Sequence, residues 1–237
     1  MAYSLVASGK AVSADTNAVT TAGINTTGAD LLVVLTGAFY GNGDPGSPTD
    51  SNGNTWTGLT AIHTGAGGPQ DGRLWYAKNA TVGSGHTFSW GITASYPCIF
   101  VLAFSGSNTS APFEAESGTS YASGASAATP GSLTPAADNE LMVAGIIYPQ
   151  ADASDTGAVD SSFVSPMQQH AASAGATNCG GGITYQIQTT ATLRNPSTSA
   201  GTGSPRTAAV MAVFKVAGAG GGGGVLPPST LTLTGVQ

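Results

Sequence analysis

Tyr96-Pro97-Cys98-Ile99-Phe100-Val101-Leu102-Ala103-Phe104-Ser105 is the densest apolar run of the chain, and its reading decides the fold class. A strand with one wet face alternates apolar and polar residues. An unbroken apolar run of strand length between turn signals therefore predicts a strand buried on both faces. The pattern returns near the end of the chain as Ala209-Val210-Met211-Ala212-Val213-Phe214-Lys215.

The two runs are in step. Phe104 and Phe214 stand 110 residues apart, as do Val101 and Met211. Leu31-Leu32-Val33-Val34-Leu35 is echoed at the same offset by Leu141-Met142-Val143-Ala144-Gly145, and Asp50 by Asp160. Trp56 and Phe163 differ by 107, as do His63 and His170, and Tyr76 and Tyr185 differ by 109. Small loop insertions and deletions produce such drift. A chain rich in Ala, Gly, Ser and Thr yields echoes by chance, but here the large residues are the ones that coincide. We therefore expect two related halves, 1–107 and 108–216. They form either two seven-stranded sandwiches in tandem or one larger, interleaved sandwich. The second is preferred, because 106–112 does not look like a linker between independent domains.

Composition agrees with an all-β chain. Charged residues make up 8% of the 237, against about 25% in an average domain. Gly occurs 35 times, and the Lys, Glu, Arg and Gln that cover helix surfaces are scarce. No apolar run approaches the ~20 residues of a membrane-spanning helix. The net charge is −6. Lys10, Arg73, Lys78, Arg194, Arg206 and Lys215 are too dispersed to form a phosphate-neutralising patch, which argues against nucleic acid as a partner.

Along the chain, 3–8, 18–24, 31–40, 72–79 and 86–90 read as strands. Asp50-Ser51-Asn52-Gly53-Asn54 reads as a tight turn, since Asn-Gly tolerates positive φ. It loosely resembles a calcium loop but lacks the closing Glu. Trp56, Trp75 and Trp90 are expected in the core. Cys98 falls in the buried strand and Cys179 in an expected loop, so the two cysteines do not read as a disulfide scaffold. Residues 217–224 read as a Gly-rich flexible linker. Residues 225–237 read as a tail strand, in which Val225, Leu226, Leu231, Leu233 and Val236 would pair with the sheet edge of a partner.

No catalytic, cofactor or metal site is expected. His63, His86 and His170 lack metal-ligand spacing, and no Gly-x-Ser-x-Gly elbow is present. Glu114 and Glu116 would project from the same side of a strand, as a carboxylate pair for glycoside hydrolysis would need, but such charges are more often solvated.

Three stretches carry a family resemblance in order: 25–34, 50–56 and 74–79. So do Tyr96 through Gly106, Pro112-Phe113 and 138–143. The series, over roughly 18–150 with a weaker match beyond, resembles the jelly-roll-like β-sandwich modules of uncharacterised phage virion proteins and large bacterial surface proteins. The resemblance brings no catalytic or binding residues with it. It implies a virion structural protein, a capsid decoration or accessory subunit acting by adhesion. Its partners would be major capsid or tail subunits and further copies of itself, with no membrane involved. Met1-Ala2-Tyr3-Ser4-Leu5-Val6 enters strand-like sequence without a signal-peptide pattern. That fits assembly in a bacterial cytoplasm better than a secreted fragment with an added start Met. The alternative expectation is a secreted carbohydrate-binding or adhesin module with Trp56, Trp75 or Trp90 as its platform.

Overall fold

The computed structural model describes residues 2–12, 18–39, 46–63, 70–91, 97–121, 127–149, 162–169, 179–198 and 207–218. The tail 225–237, Asp160 and His170 lie outside them. The described residues contain no helix and form fourteen strands: β1 (Ser4–Val12), β2 (Ala18–Thr20), β3 (Leu31–Phe39), β4 (Thr49–Asp50), β5 (Thr57–Gly58), β6 (Ile62–His63), β7 (Gln70–Lys78), β8 (Phe88–Gly91), β9 (Cys98–Ser105), β10 (Phe113–Tyr121), β11 (Glu140–Pro149), β12 (Val164–Gln169), β13 (Cys179–Gln188) and β14 (Thr207–Phe214). All pairings are antiparallel, in three sheets.

The first large sheet runs β1-β9-β3-β7-β5, with β6 also on β7. The second runs β10-β14-β11-β13-β12. Each sheet draws its strands from one half of the chain, and their registers correspond. Leu31 pairs with Phe104 as Leu141 pairs with Phe214, and Gly37 with Cys98 as Ile147 with Ala208. Both edge strands are bulged near their start, between Leu5 and Ala7 and between Phe113 and Ala115. The short bridges outside the two sheets match too: Val19 with Trp90 and Ala128 with Thr198, then Ile24 with His86 and Leu133 with Arg194.

The sheets pack face to face around one core. Leu31, Val33, Leu35 and Phe100 from the first sheet meet Leu141, Val143, Ile147 and Phe214 from the second. Alternate residues of the same strands face away and are covered as well. Leu32, Val34, Ile99 and Val101 pack under the three-stranded sheet β2-β8-β4, against Val19, Phe88 and Trp90. On the far side, Met142, Ala144, Met211 and Val213 lie beneath Phe163 and Leu133. Both large sheets are therefore wrapped on two faces, which is why β9 and β14 have continuous apolar sequences.

The strands at 31–40, 72–79 and 86–90 sit within a few residues of expectation. Three segments depart from it. The strand expected at 18–24 ends at Thr20, and Ile24 keeps only an isolated bridge to His86. β10 is a polar edge strand whose composition carries no buried-strand signal. Cys179, expected in a loop, opens β13 and is fully buried. There the run Gly180-Gly181-Gly182 reads as turn by propensity, but close packing requires it. A Cβ on Gly181 would lie 2.8 Å from Ile147 Cδ1 on the neighbouring strand.

Candidate functional site

Asp50 is the centre of the densest polar network. The strand-to-turn transition at 50–54 folds the backbone over its own carboxylate. Oδ1 accepts from Asn52 N (2.9 Å) and Asn54 Nδ2 (3.0 Å), and Oδ2 from Asn54 N (3.2 Å). Trp56 Nε1 donates to Oδ2 at 2.9 Å, and His86 Nε2 lies 2.9 Å from Oδ1. Burial pushes this carboxyl up, but the hydrogen bonds from His86, Asn52 and Asn54 outweigh it and hold the group below its ordinary value. Asn-Gly thus builds the turn expected here. Its carboxylate already faces N–H donors that a bound cation would have to displace.

The network continues inward. His86 Nδ1 lies 2.9 Å from Thr26 Oγ1, and Thr26 Oγ1 accepts from Gly83 N at 3.1 Å. Thr26 Oγ1 also lies 3.1 Å from the Gly83 carbonyl oxygen, so its single proton is shared between that oxygen and the His86 ring. The ring stacks on Phe88 at 4.2 Å. Asp50, His86 and Thr26 thus stand in the order acid, base, hydroxyl, as in a hydrolase triad. Their burial argues for another role. Thr26 is 0% and His86 1% exposed, and the Asp50 side chain has no exposed surface. A substrate carbonyl has no path to the Thr26 oxygen. The network clamps three chain segments, and no motif announces it, since its members meet through the bridge between Ile24 and His86 and the pairing of β4 with β8.

A second acidic cluster lies at the end of the second sheet. Glu114 and Glu116 do not act as a pair. The bulge between Phe113 and Ala115 interrupts strand alternation, and the two side chains take different partners. Glu116 accepts from Thr60 N (2.9 Å) and Thr60 Oγ1 (2.7 Å), tying β10 to the connection between β5 and β6. Glu114 accepts from Ala136 N (2.8 Å) and is hydrogen-bonded to Glu140, which is 1% exposed. Burial, then the hydrogen bond to Glu114 and its charge, push Glu140 up to about 7. The buried Oε2 of Glu114 meets no N–H donor, so a proton on Glu140 supplies the missing one. Glu114 thus turns to Glu140, and Glu116 to Thr60, so the two residues that alternate in sequence do not form the carboxylate pair expected for glycoside hydrolysis.

The tryptophans lie where core packing predicts. Trp75 and Trp90 are buried, their indole N–H groups bound to Thr36 Oγ1 (2.9 Å) and to the Gly46 carbonyl (3.1 Å). Trp56 is half-buried and packs edge-on against Phe88. Trp75 and Trp90 are too buried to serve as a sugar platform. A cavity of about 170 Å³ opens beside the Thr60–Glu116 link, lined by Leu59, Ile62, Gly118 and Met211. A wider groove of about 570 Å³ runs past Ala2, Asp138, Asn139 and Val216. At the first, the polar residues Thr60 and Glu116 are bonded to each other. The tail residues Val225, Leu226, Leu231, Leu233 and Val236 fall outside the described residues, as does the His170 counterpart of His63. Among the described residues, no group of three or more His, Cys, Asp or Glu side chains is placed to hold a metal ion.

Compared with protein-family models, curated proteins and solved structures, the chain matches none.

Proposed function

We propose that the chain is a structural protein of a phage virion, a capsid decoration or accessory subunit that works by non-covalent adhesion and catalyses no reaction. The observation that carries this reading is the pair of long edge strands, β1 and β10. Each spans nine residues, ends its sheet, and has one strand partner among the described residues. On β10 the residues Glu116, Gly118 and Ser120 are exposed in alternation. Such an edge offers a row of backbone donors and acceptors to an added strand. The sequence supplies a candidate strand in the alternating tail Val225–Val236, tethered by the Gly-rich linker 217–224.

In this reading the tail of one copy adds to an edge of a neighbour, and the sandwich faces the shell with a surface of few charges. The corresponding registers of the two sheets support descent of halves 1–107 and 108–216 from one ancestral unit. Duplication would also explain why two equivalent edges exist. The acid, base and hydroxyl groups that chemistry would need are turned inward as structural clamps, which suits a passive scaffold.

The test is removal of residues 219–237. The truncated chain is expected to keep the melting temperature of the full chain and to lose binding to shells of the encoding phage, read by co-sedimentation. Undiminished binding would sink the role of the tail. Specific binding to a glycan array would replace this reading with the carbohydrate-binding one.

A further inference from the structure

The geometry points to Cys98 and Cys179 as the site of a covalent cross-link between the two sheets, a disulfide closed by a low-molecular-weight disulfide such as oxidised glutathione while the chain folds. Cys98 opens β9 in the first sheet and Cys179 opens β13 in the second. Their Sγ atoms lie 3.2 Å apart and both residues are 0% exposed. A disulfide needs about 2.05 Å, so a small rotamer adjustment closes it.

The proximity is built into the packing. Cys98 pairs with Gly37 across β3, and Cys179 with Pro149 across β11. A Cβ on Gly37 would lie within 2.7 Å of Ile147 Cγ1 and Cγ2. The missing side chain is what lets the sheets approach at this end. The corresponding position to Cys98 in the second sheet is Ala208, facing Gly72, so the sulfur pair belongs to one end of the sandwich.

Chemistry fixes the timing. The thiolate is the attacking species, and burial pushes the Cys179 thiol well above its ordinary value, with Cys98 adding to the effect. In the folded state Cys179 is therefore a poor nucleophile, and both sulfurs are shielded by burial. While the sheets are apart, one thiolate attacks oxidised glutathione and releases one glutathione thiolate. The second cysteine then attacks the mixed disulfide and releases another. Two protons pass from the cysteines to the two glutathione thiolates, the cysteine sulfurs are oxidised, and glutathione is reduced. Once closed, the bond lies where a reductant has no approach.

The experiment uses the full chain, unfolded in denaturant and refolded with either oxidised glutathione or a thiol reductant. Refolding in oxidant is expected to yield a monomer lighter by two hydrogens, with no thiols titratable in denaturant and one linked peptide pair containing Cys98 and Cys179. Its melting midpoint is expected to rise by roughly 5–15 °C over the reduced form. C98A and C179A should each abolish that rise. Persistence of both thiols, glutathione adducts in place of the cross-link, or an equal rise in C98A would overturn the proposal.

Discussion

Ile147 on β11 fills the space that a side chain on Gly37 of β3 would occupy, and Leu35 does the same above Gly145. In each pair the two residues hold corresponding places in the two sheets, so at both positions a large side chain meets a missing one. This complementarity sets the distance between the sheets and brings Cys98 to Cys179.

Gly37→Ala is therefore expected to overpack the core and cost about 1–3 kcal/mol of stability. Ile147→Ala in the wild-type background should cost about 2–5 kcal/mol. The double variant should be more stable than the sum of the two effects allows, because the added methyl fills part of the cavity. Chemical denaturation of the four-member cycle measures the coupling, and strict additivity would show that the two positions do not touch.

Asp50→Asn should destabilise the fold by about 2–4 kcal/mol, since it removes a charge that five donor contacts surround. The folded-state value of this carboxyl is depressed, so its contribution is complete above the unfolded value of 3.8 and lost as pH falls through the lower folded value. Urea melts from pH 5 downward should show the gap between wild type and variant constant at first and then closing. A gap independent of acid would refute the assignment.

Glu140 has the opposite sign. Its folded-state value is raised from 4.5 to about 7, so the carboxyl favours folding below 4.5 and that contribution disappears as pH rises through 7. Glu140→Gln keeps a donor for Glu114 and removes the titration. It should match wild type near pH 4 and exceed it at pH 8 by on the order of 2 kcal/mol. Equal melting temperatures at both pH values would show that no proton is shared.

Thr36→Val preserves shape at a fully buried site but leaves the Trp75 indole N–H without its acceptor. The expected loss is about 1–3 kcal/mol. Trp75→Phe in the Thr36→Val background should cost less than in wild type. Calorimetry on the two pairs decides it.

Much of the scaffold is legible in the residues themselves. β3, β9, β11 and β14 announce themselves as apolar runs because both of their faces are covered, and Asn52-Gly53 marks its turn because Gly53 adopts φ 71°. β10 is invisible at that level, since an edge strand needs no apolar face and its Glu, Ser and Thr residues read as loop. β13 is obscured for the opposite reason: its glycines look like turn residues and serve as packing clearance. The candidate sites were less legible still. Glu114 finds Glu140 and not Glu116 because a single bulge redirects it, and Thr26, His86 and Asp50 carry no spacing that links them.

By itself the sequence determined the fold class, since burial on two faces requires strands without polar residues and the scarcity of charge leaves no material for helix surfaces. Only the tertiary structure decided which polar groups meet and which sulfur lies against which. Those contacts join residues far apart in the chain, and their distances follow from the strand registers and the glycine clearances between sheets.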